Sequence, residues 1–238
     1  IDVFFHFAWA GGLLQDAFWN YELQLNNAKH ACDAYMQAVK MGAKRFVNAG
    51  TNNQIEIRQF LRTTDYTPRG TTIYATAKIA AELMIRTLSE KHDTECLGTM
   101  IPMPFGDGNR SMQLFNVLVL SLLKGQSPPL IEGNNLYDMV YVEDIIGALI
   151  AIAEKGVAGR SYYIGHRKLQ TFRQWAEAIR DAVNPDVQLR FGEYKDPLNM
   201  DYSVIDTDLL FKDTGYECNS DFHETLLQTT EWMKRNLL

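Results

Sequence analysis

The fold is decided by a short apolar stretch at residues 44–50, KRFVNAG, which ends in small residues. A run of this length and composition is typical of a strand that is buried on both faces. Two similar stretches lie on either side of it along the chain, DVFFHFAWA at residues 2–10 and ECLGTMIPMPFG at residues 95–106. The three stretches predict neighbouring strands of one parallel sheet.

Two segments with helical periodicity separate these predicted strands. The first covers residues 13–41, with a break expected near Asn20 and with Gly42 as its C-terminal cap. The second is alanine-rich and opens at Tyr74. Alternating strands and helices predict a Rossmann-type doubly wound α/β fold, whose ligands bind beyond the carboxyl ends of the strands.

The rhythm of strands and helices changes after Gly106. We expect a small α/β lobe that is partly interleaved with the first half of the chain. Its predicted elements are a helix at 111–124, a strand leading into a helix at 137–155, a short strand at 160–165, a helix capped by Thr171, a strand at 187–194 and two helices near the C-terminus.

Composition and charge exclude several classes of function. The formal net charge of -6 argues against a nucleic-acid groove, which needs clustered cations. The longest apolar runs fall short of the ~20 residues that span a bilayer, so we expect no membrane segment. Three cysteines, far apart and without metal-ligand spacing, favour a reducing cytoplasm and no metal site.

One spacing within the second helix indicates chemistry. Tyr74 and Lys78 are four residues apart and therefore share a helix face, with only small residues between them. A nearby ammonium lowers the phenol pKa from about 10, so the pair could exchange protons with a hydroxyl or a carbonyl. Thr51, after the strand at 44–50, adds a hydroxyl that can polarise the same oxygen. The alternative is a half-buried tyrosine and a solvated lysine on an ordinary amphipathic helix.

Several blocks of sequence, in order along the chain, carry a resemblance to one family. They are VFFHFAWAG (3–11), AKRFVNAGT (43–51), YATAKIAAE (74–82) and YDMVYVEDIIGALIAIAEKG (137–156). With these blocks the chain resembles the extended short-chain dehydrogenase/reductase family of NAD-dependent nucleotide-sugar epimerases, dehydratases and reductases. The resemblance implies part of a Rossmann cofactor-binding domain in residues 1–105 plus about 140–165, and a substrate-binding lobe in 106–139 and 166–238.

The resemblance also implies roles for individual residues. The family's catalytic acid or base falls on Tyr74, the lysine that lowers its pKa and binds the nicotinamide ribose on Lys78, and the hydroxyl that polarises the reacting oxygen on Thr51. The implied cofactor is NAD or NADP. The other positions that match cofactor-binding residues of the family are Phe7, Ala8, Trp9, Asn27 and Pro102. The positions that match substrate-binding residues, besides Thr51, are Asn52, Asn53, Met103 and Tyr137.

Structural roles remain open alternatives at some of these positions. The segment at residues 7–9 could be plain strand-end packing, and Asn27 could be a solvated or capping side chain. Trp9 is larger than the small residue that the family usually has there, so the mouth of the site is expected to be shaped differently.

Departures from the family pattern bear on the ligands. The glycine-rich turn that cradles pyrophosphate is absent, so we expect a longer protein to supply it, together with the residue that selects NAD or NADP. Met103 and Tyr137 stand where the family has an asparagine and an arginine that contact the nucleotide sugar. Neither side chain supplies the missing charge. The cations that would replace it, unless they are surface residues, are Arg110, Arg160 and Arg167.

The function expected from the residues and the resemblance is NAD(P)-dependent hydride transfer at a hydroxyl or keto carbon of a sugar. Amides at Asn52 and Asn53, in place of the acidic pair of dehydratases, favour an epimerase or a 4-keto reductase. A non-catalytic regulatory or binding protein on the same fold is the alternative. The expected partners are a small-molecule substrate, a nucleotide sugar, and a second copy of the chain, since family members dimerise through the helices at 13–41 and 74–90.

Overall fold

The computed structural model describes residues 1–11, 15–65, 67–195 and 200–238. Its strands are β1 (Val3–His6), β2 (Arg45–Asn48), β3 (Glu95–Met100), β4 (Met103–Phe105), β5 (Leu136–Tyr137), β6 (Met139–Tyr141), β7 (Ser161–Tyr163) and β8 (Gln170–Thr171). Its helices are α1 (Gln15–Trp19), α2 (Tyr21–Lys40), α3 (Gln54–Phe60), α4 (Gly70–Ser89), α5 (Leu114–Leu123), α6 (Val142–Lys155), α7 (Phe172–Val183), α8 (Leu209–Thr214) and α9 (Phe222–Leu237), with a 3₁₀ turn at Tyr202–Val204. None of the helices in these ranges is long and apolar enough to cross a membrane.

A parallel sheet organises the first of two compact units, in which β1, β2, β3 and β7 lie side by side in this order. Phe4 of β1 pairs with Phe46 of β2, which pairs in turn with Cys96 of β3. Parallel strands joined by helices form the Rossmann-type fold that the sequence predicts. This unit comprises Ile1–Pro102, Gly147–Ile164 and Asp201–Glu217.

Among the described residues, β1 does not show the burial on both faces that the sequence predicts. Within the described residues, β1 pairs with β2 alone and lies at the edge of the sheet. Phe4 packs against the cluster formed with α2 and α4, whereas Phe5 points to the other face and is 37% exposed. The apolar run identifies a strand, but the position of the strand in the sheet decides which of its side chains are covered.

Small residues bring α2 and α4 close to the sheet. Ala31 of α2 and Ala81 of α4 are fully buried in one cluster with Phe46 of β2. Tyr35, also in this cluster, donates a hydrogen bond from its hydroxyl to the carbonyl of Thr94 at 2.9 Å. The alanines leave little space between helix and strand, so α4 is fixed relative to the end of β2.

The observed start of α2 agrees with the prediction from the sequence, whereas the observed start of α4 does not. The predicted break at Asn20 is confirmed, because its side chain caps α2 by accepting from the amide of Leu23 at 3.0 Å. The predicted start at Leu13 lies outside the described residues. α4 begins at Gly70, before Tyr74, because Thr72 caps the backbone amide of Arg69 at 3.0 Å. Tyr74 therefore lies in the second turn rather than at the opening.

The second unit comprises Met103–Ile146, Gly165–Met200 and Cys218–Leu238. β4 pairs with β6 in parallel, β5 pairs with β8 in antiparallel, and α5, α7 and α9 surround an apolar cluster. The predicted cap of α7 is confirmed, since the hydroxyl of Thr171 accepts from the amide of Gln174 at 3.2 Å.

Two predicted strands differ from the structure in this part of the chain. The stretch at 95–106 was predicted to be a strand that leaves into a loop. The strand is β3, which ends at Met100, but a second strand, β4, follows Pro102, which has no amide hydrogen for a sheet. The stretch at 187–194 makes only an isolated bridge, between Arg190 and Pro129. Gly192 adopts a φ of +79° there, which ends the extended backbone.

Candidate active site

The site lies in the first unit, where the carboxyl ends of β1 and β2 meet the second turn of α4. Tyr74 and Lys78 share one face of α4, and the Lys78 Nζ lies 5.9 Å from the centre of the Tyr74 ring. Ala75 and Ala77 are buried and keep the helix close to the sheet. The structure therefore brings together the two residues that the sequence predicts as a proton-transfer pair.

Thr51 is held against this pair at the end of β2. The Thr51 hydroxyl favours the phenolate and so lowers the pKa of Tyr74, but burial is the larger effect and the net shift of the pKa is upward. The expectation that the lysine would set a lowered pKa at Tyr74 is therefore wrong in this structure. A buried phenol is protonated at neutral pH and can donate a hydrogen bond or a proton.

The burial of Lys78 explains why this lysine has little effect on the pKa of Tyr74. The side chain is 5% exposed, and burial lowers its pKa to about 7, so the ammonium is only partly populated at neutral pH. The Nζ donates a hydrogen bond to the carbonyl of Ala49 at 2.8 Å. It also lies 4.0 Å from the centre of the Trp9 ring, within the range of a cation–π contact.

The segment after β1 is more open than the segment after β2. Phe7 is 56% exposed and Ala8 is also exposed, so plain strand-end packing does not describe these two residues. Trp9 is half-buried, donates from its indole to the Gln24 side chain at 2.8 Å, and meets Tyr74 edge-on with 6.1 Å between ring centres. Trp9 thus forms one wall of the site beside Tyr74.

Asn27 of α2 braces the same segment. Its side chain is buried, accepts from the amide of Ala10 at 2.9 Å and donates to the carbonyl of Ala10 at 2.9 Å. The alternative of a solvated asparagine is therefore excluded. The paired contact fixes the backbone where the chain leaves β1.

The remaining predicted residues fall into two groups. Asn52 and Asn53 are half-exposed beside Thr51, and the amide of Asn52 donates to the carbonyl of Ile101 at 2.9 Å. Pro102 is buried after β3 in the same unit. Met103 in β4 and Tyr137 in β5 belong to the second unit, where the Tyr137 ring packs edge-on against Phe172 at 5.4 Å.

Two of the cations considered as replacement charges already have partners. Arg160 forms a double hydrogen bond with Asp213, both at 2.7 Å, and so ties β7 to α8. The guanidinium of Arg110 lies 5.6 Å from the centre of the Trp232 ring. These contacts are sufficient to account for both side chains as structural residues.

Sequence reasoning missed two buried polar residues next to the site, Gln54 and Glu82. Gln54 is fully buried in the first turn of α3, a helix that was not predicted, and Glu82 is 8% exposed in α4. A signal for Glu82 was present in the sequence, because Tyr74, Lys78 and Glu82 continue one four-residue spacing.

Comparisons with known proteins agree with this fold. The model of the NAD dependent epimerase/dehydratase family matches residues 1–165. A dTDP-glucose 4,6-dehydratase of Shigella flexneri is 23% identical over 194 residues, which cover 78% of this chain and 53% of that protein. A trifunctional UDP-glucose 4,6-dehydratase, epimerase and reductase of Arabidopsis thaliana is 24% identical over 254 residues, which cover 99% of this chain and 36% of that protein. The chain thus spans about half, or less, of the length of these relatives.

Solved structures share the fold at low sequence identity. A UDP-glucose 4-epimerase from Thermotoga maritima, solved with UDP-glucose, has a TM-score of 0.77 and 17% identity, covering 100% of this chain and 78% of that one. A dTDP-glucose 4,6-dehydratase from Streptomyces venezuelae, solved with NAD bound, has a TM-score of 0.77 and 20% identity, covering 99% of this chain and 74% of that one. These likenesses establish the fold of the chain.

Proposed function

Because the chain belongs to the NAD dependent epimerase/dehydratase family, we propose that it carries the proton-transfer site of an NAD- or NADP-dependent oxidoreductase that acts on a sugar hydroxyl or keto carbon. The observation that supports this proposal most is the convergence of Thr51, Tyr74 and Lys78 at the ends of two parallel strands. Two hydroxyls and an ammonium form a donor set suited to a carbonyl or hydroxyl oxygen.

Each of the three residues has a distinct part in the proposed reaction. Tyr74 gives a proton to the reacting oxygen when a ketone is reduced and takes one when an alcohol is oxidised. Thr51, whose hydroxyl acts on the pKa of the same phenol, holds the reacting oxygen as a second donor. Lys78 is anchored on the carbonyl of Ala49, and its remaining donors would bind the ribose of such a cofactor.

The residues of this chain fit the nicotinamide end of such a cofactor. Phe7 and Ala8 are exposed at the carboxyl end of β1, and Asn27 fixes the next turn by its two contacts with Ala10. When bound, the nicotinamide supplies or accepts the hydride. Trp9 and the buried Lys78 keep water away from the oxygen that Tyr74 would protonate.

The raised pKa of Tyr74 bears on the direction of reaction. Because burial keeps the phenol protonated at neutral pH, the site is poised to donate a proton to a keto oxygen. Oxidation needs the phenolate, which becomes more populated as pH rises toward the raised pKa. We therefore expect oxidation of an alcohol to gain more from a rise in pH than reduction of a ketone does.

We assign a nucleotide sugar as the substrate class, and epimerisation or 4-keto reduction as the reaction. Relatives and neighbours with the same fold handle dTDP-glucose and UDP-glucose. The amides of Asn52 and Asn53 favour these reactions over dehydration, which uses an acidic pair in the family. Met103 and Tyr137 offer no charge to a diphosphate, so the affinity for it must come from other residues.

We also propose that the protein is a homodimer in the cytoplasm. Tyr21 and Leu25 of α2 and Met84 of α4 are 60%, 65% and 43% exposed around an apolar groove of about 480 Å³. A second copy of this helix pair would cover the groove. Leu25→Asp should yield a monomer in analytical ultracentrifugation, whereas Leu61→Asp, at a side chain that is 80% exposed beyond α3, should not. The free cysteines fit a reducing compartment.

Nucleotide binding and turnover together test the proposed function. The full-length protein is titrated with NAD and NADP by calorimetry and then mixed with UDP-, dTDP-, CDP- and GDP-sugars while the absorbance of reduced nicotinamide is followed. We expect binding of one dinucleotide and a sugar-dependent absorbance change or product. Binding of a nucleotide sugar without any dinucleotide binding would instead identify a regulatory or binding protein on this fold.

A further inference from the structure

The buried carboxylate of Glu82 lies on the catalytic face of α4. Tyr74, Lys78 and Glu82 follow one another at four-residue spacing and therefore line one side of the helix. Lys78 binds the carbonyl of Ala49 at 2.8 Å. Glu82 is 8% exposed, and a buried carboxylate needs partners to offset the loss of water. Its principal partner connects it to the same strand end.

Gln54 links Glu82 to the backbone of Thr51. The Gln54 side chain is fully buried, donates from Nε2 to the Glu82 carboxylate at 2.5 Å and accepts from the amide of Thr51 through Oε1 at 2.8 Å. A carboxylate only accepts hydrogen bonds, so Nε2 must face Glu82 and Oε1 must face Thr51. The acceptor oxygen of Glu82 thus sets the orientation of the amide that holds Thr51.

Neighbouring groups leave the turn little room to move. A Cβ on Gly50 would lie 2.2 Å from Oε1 of Gln54 and 1.8 Å from the carbonyl of Thr99, so the turn is packed against both. Gly50 also donates from its amide to the hydroxyl of Thr99 at 3.2 Å. On the far side of Glu82, Arg58 contacts the other carboxylate oxygen at 3.4 Å.

We propose that Gln54 and Glu82 are positioning residues that hold Thr51 in register with Tyr74. α4 is then connected to the end of β2 at two points. Lys78 binds the carbonyl of Ala49, and Glu82 reaches the amide of Thr51 through Gln54. The helix that carries the proton donor also fixes its partner hydroxyl, so the two move together. The catalytic part of this inference rests on the proposed function.

Four variants of the full-length protein separate positioning from general stability. Gln54→Met keeps the volume and removes both hydrogen bonds. Gln54→Glu places two carboxylates face to face. Glu82→Gln keeps an acceptor for Gln54. The double variant Gln54→Glu with Glu82→Gln reverses donor and acceptor between the two side chains and still offers an oxygen to the amide of Thr51.

Turnover, dinucleotide affinity and exchange of the Thr51 amide hydrogen are measured for each variant. We expect Gln54→Met and Gln54→Glu to lower kcat about ten- to hundredfold, as a small misplacement of a catalytic group does, with dinucleotide affinity kept. The Thr51 amide should exchange about tenfold faster or more once its acceptor is lost. Glu82→Gln and the double variant should stay within a few-fold of wild type in both measurements.

Gln59→Met is the matched control. Gln59 lies in the same helix, and its side-chain oxygen also accepts a backbone amide hydrogen, that of Asp201 at 3.2 Å. This variant should leave kcat and the exchange of Thr51 unchanged. A comparable loss of kcat in Gln59→Met would show that any weakening of α3 is enough to lower kcat. The positioning role of Gln54 and Glu82 would then be overturned.

The two readouts distinguish failure of this inference from failure of the proposed function. Unchanged exchange at Thr51 in Gln54→Met, or a double variant as impaired as Gln54→Glu, would overturn the positioning role whatever the activity. Faster exchange with an undiminished kcat would overturn it as well. A wild-type protein with no turnover would instead contradict the proposed function, while the exchange rates would still decide whether Gln54 and Glu82 hold the turn.

Discussion

The carboxyl ends of β1 and β2 are neighbours at one edge of the same parallel sheet, but they are held in different ways. After β1, Phe7 and Ala8 are exposed, and α2 fixes the chain only further on, at Ala10. After β2, the segment from Ala49 to Thr51 is bound by Lys78, Gln54 and Thr99 within three residues.

The difference matches two distinct requirements of the hydride and proton transfer that we propose for this site. A proton moves over a short distance, so its donors must be fixed before the substrate arrives. A flat ligand needs accessible backbone and apolar surface, which an exposed strand end provides. The end of β2 meets the first requirement and the end of β1 meets the second.

Removal of the phenol hydroxyl of Tyr74 should have the largest effect on the activity that we propose for the end of β2. Tyr74→Phe keeps the ring that packs edge-on against Trp9 and Phe18, but it can move no proton. We expect kcat to fall about 10²- to 10⁴-fold, with dinucleotide affinity and the melting temperature nearly unchanged. Thr51→Val should have a smaller effect in the same direction, and Thr51→Ser should retain most activity. A Tyr74→Phe enzyme with a tenth of wild-type kcat would refute the assignment.

A pair of substitutions of similar size tests how differently the two strand ends tolerate change. Gly50→Ala places a Cβ 1.8 Å from the carbonyl of Thr99, a backbone atom that cannot rotate away. We expect it to lower the free energy of unfolding by about 2 kcal/mol or more. Ala8→Val, at an exposed position, should change it by about 0.5 kcal/mol or less. Urea denaturation measures both, and equal effects would remove the distinction between the two ends.

The buried lysine predicts a dependence of stability on pH that is small over any one pH unit. Burial lowers the pKa of Lys78 to about 7, whereas in the unfolded chain it returns to about 10.4. Between these values the unfolded chain binds a proton that the folded chain does not, so stability should rise with pH by at most about 1.4 kcal/mol per unit.

Lys78→Met isolates this contribution from other titrating groups. The variant should lose the rise in stability between about pH 7 and pH 10, when urea unfolding is followed at several pH values. Lys29→Met, at a side chain that is 68% exposed in α2, should keep it. A wild-type slope identical to that of Lys78→Met would mean that the lysine is not desolvated in solution.

Local patterns in the sequence were enough to predict the sheet and the shared helix face of Tyr74 and Lys78. The apolar runs predicted β1, β2 and β3, and the four-residue spacing of Tyr74 and Lys78 predicted a shared helix face, because both patterns depend on geometry within one element. The same patterns misjudged the burial of Phe5, since coverage of a strand depends on its neighbours in the sheet.

Features that depend on distant residues were not predicted. The role of Gln54 arises from a contact with Glu82, 28 residues away, and from the unpredicted start of α3 directly after Thr51. The lowered pKa of Lys78 comes from burial, to which Trp9 of another segment contributes, so the spacing of tyrosine and lysine could not indicate it. The direction of the Tyr74 pKa shift was missed for the same reason.

Transfer of an isotope tests the central claim of hydride and proton chemistry at this site most directly. A nucleotide sugar that carries deuterium at its carbinol carbons is incubated with the full-length protein and dinucleotide, and the nicotinamide is examined by mass spectrometry. We predict that deuterium enters the nicotinamide with the wild-type protein and about 10²-fold or more slowly with Tyr74→Phe. Deuterium that never enters the nicotinamide while no epimerised sugar forms from any nucleotide sugar tested, or that enters the nicotinamide equally fast with both proteins, would contradict the account.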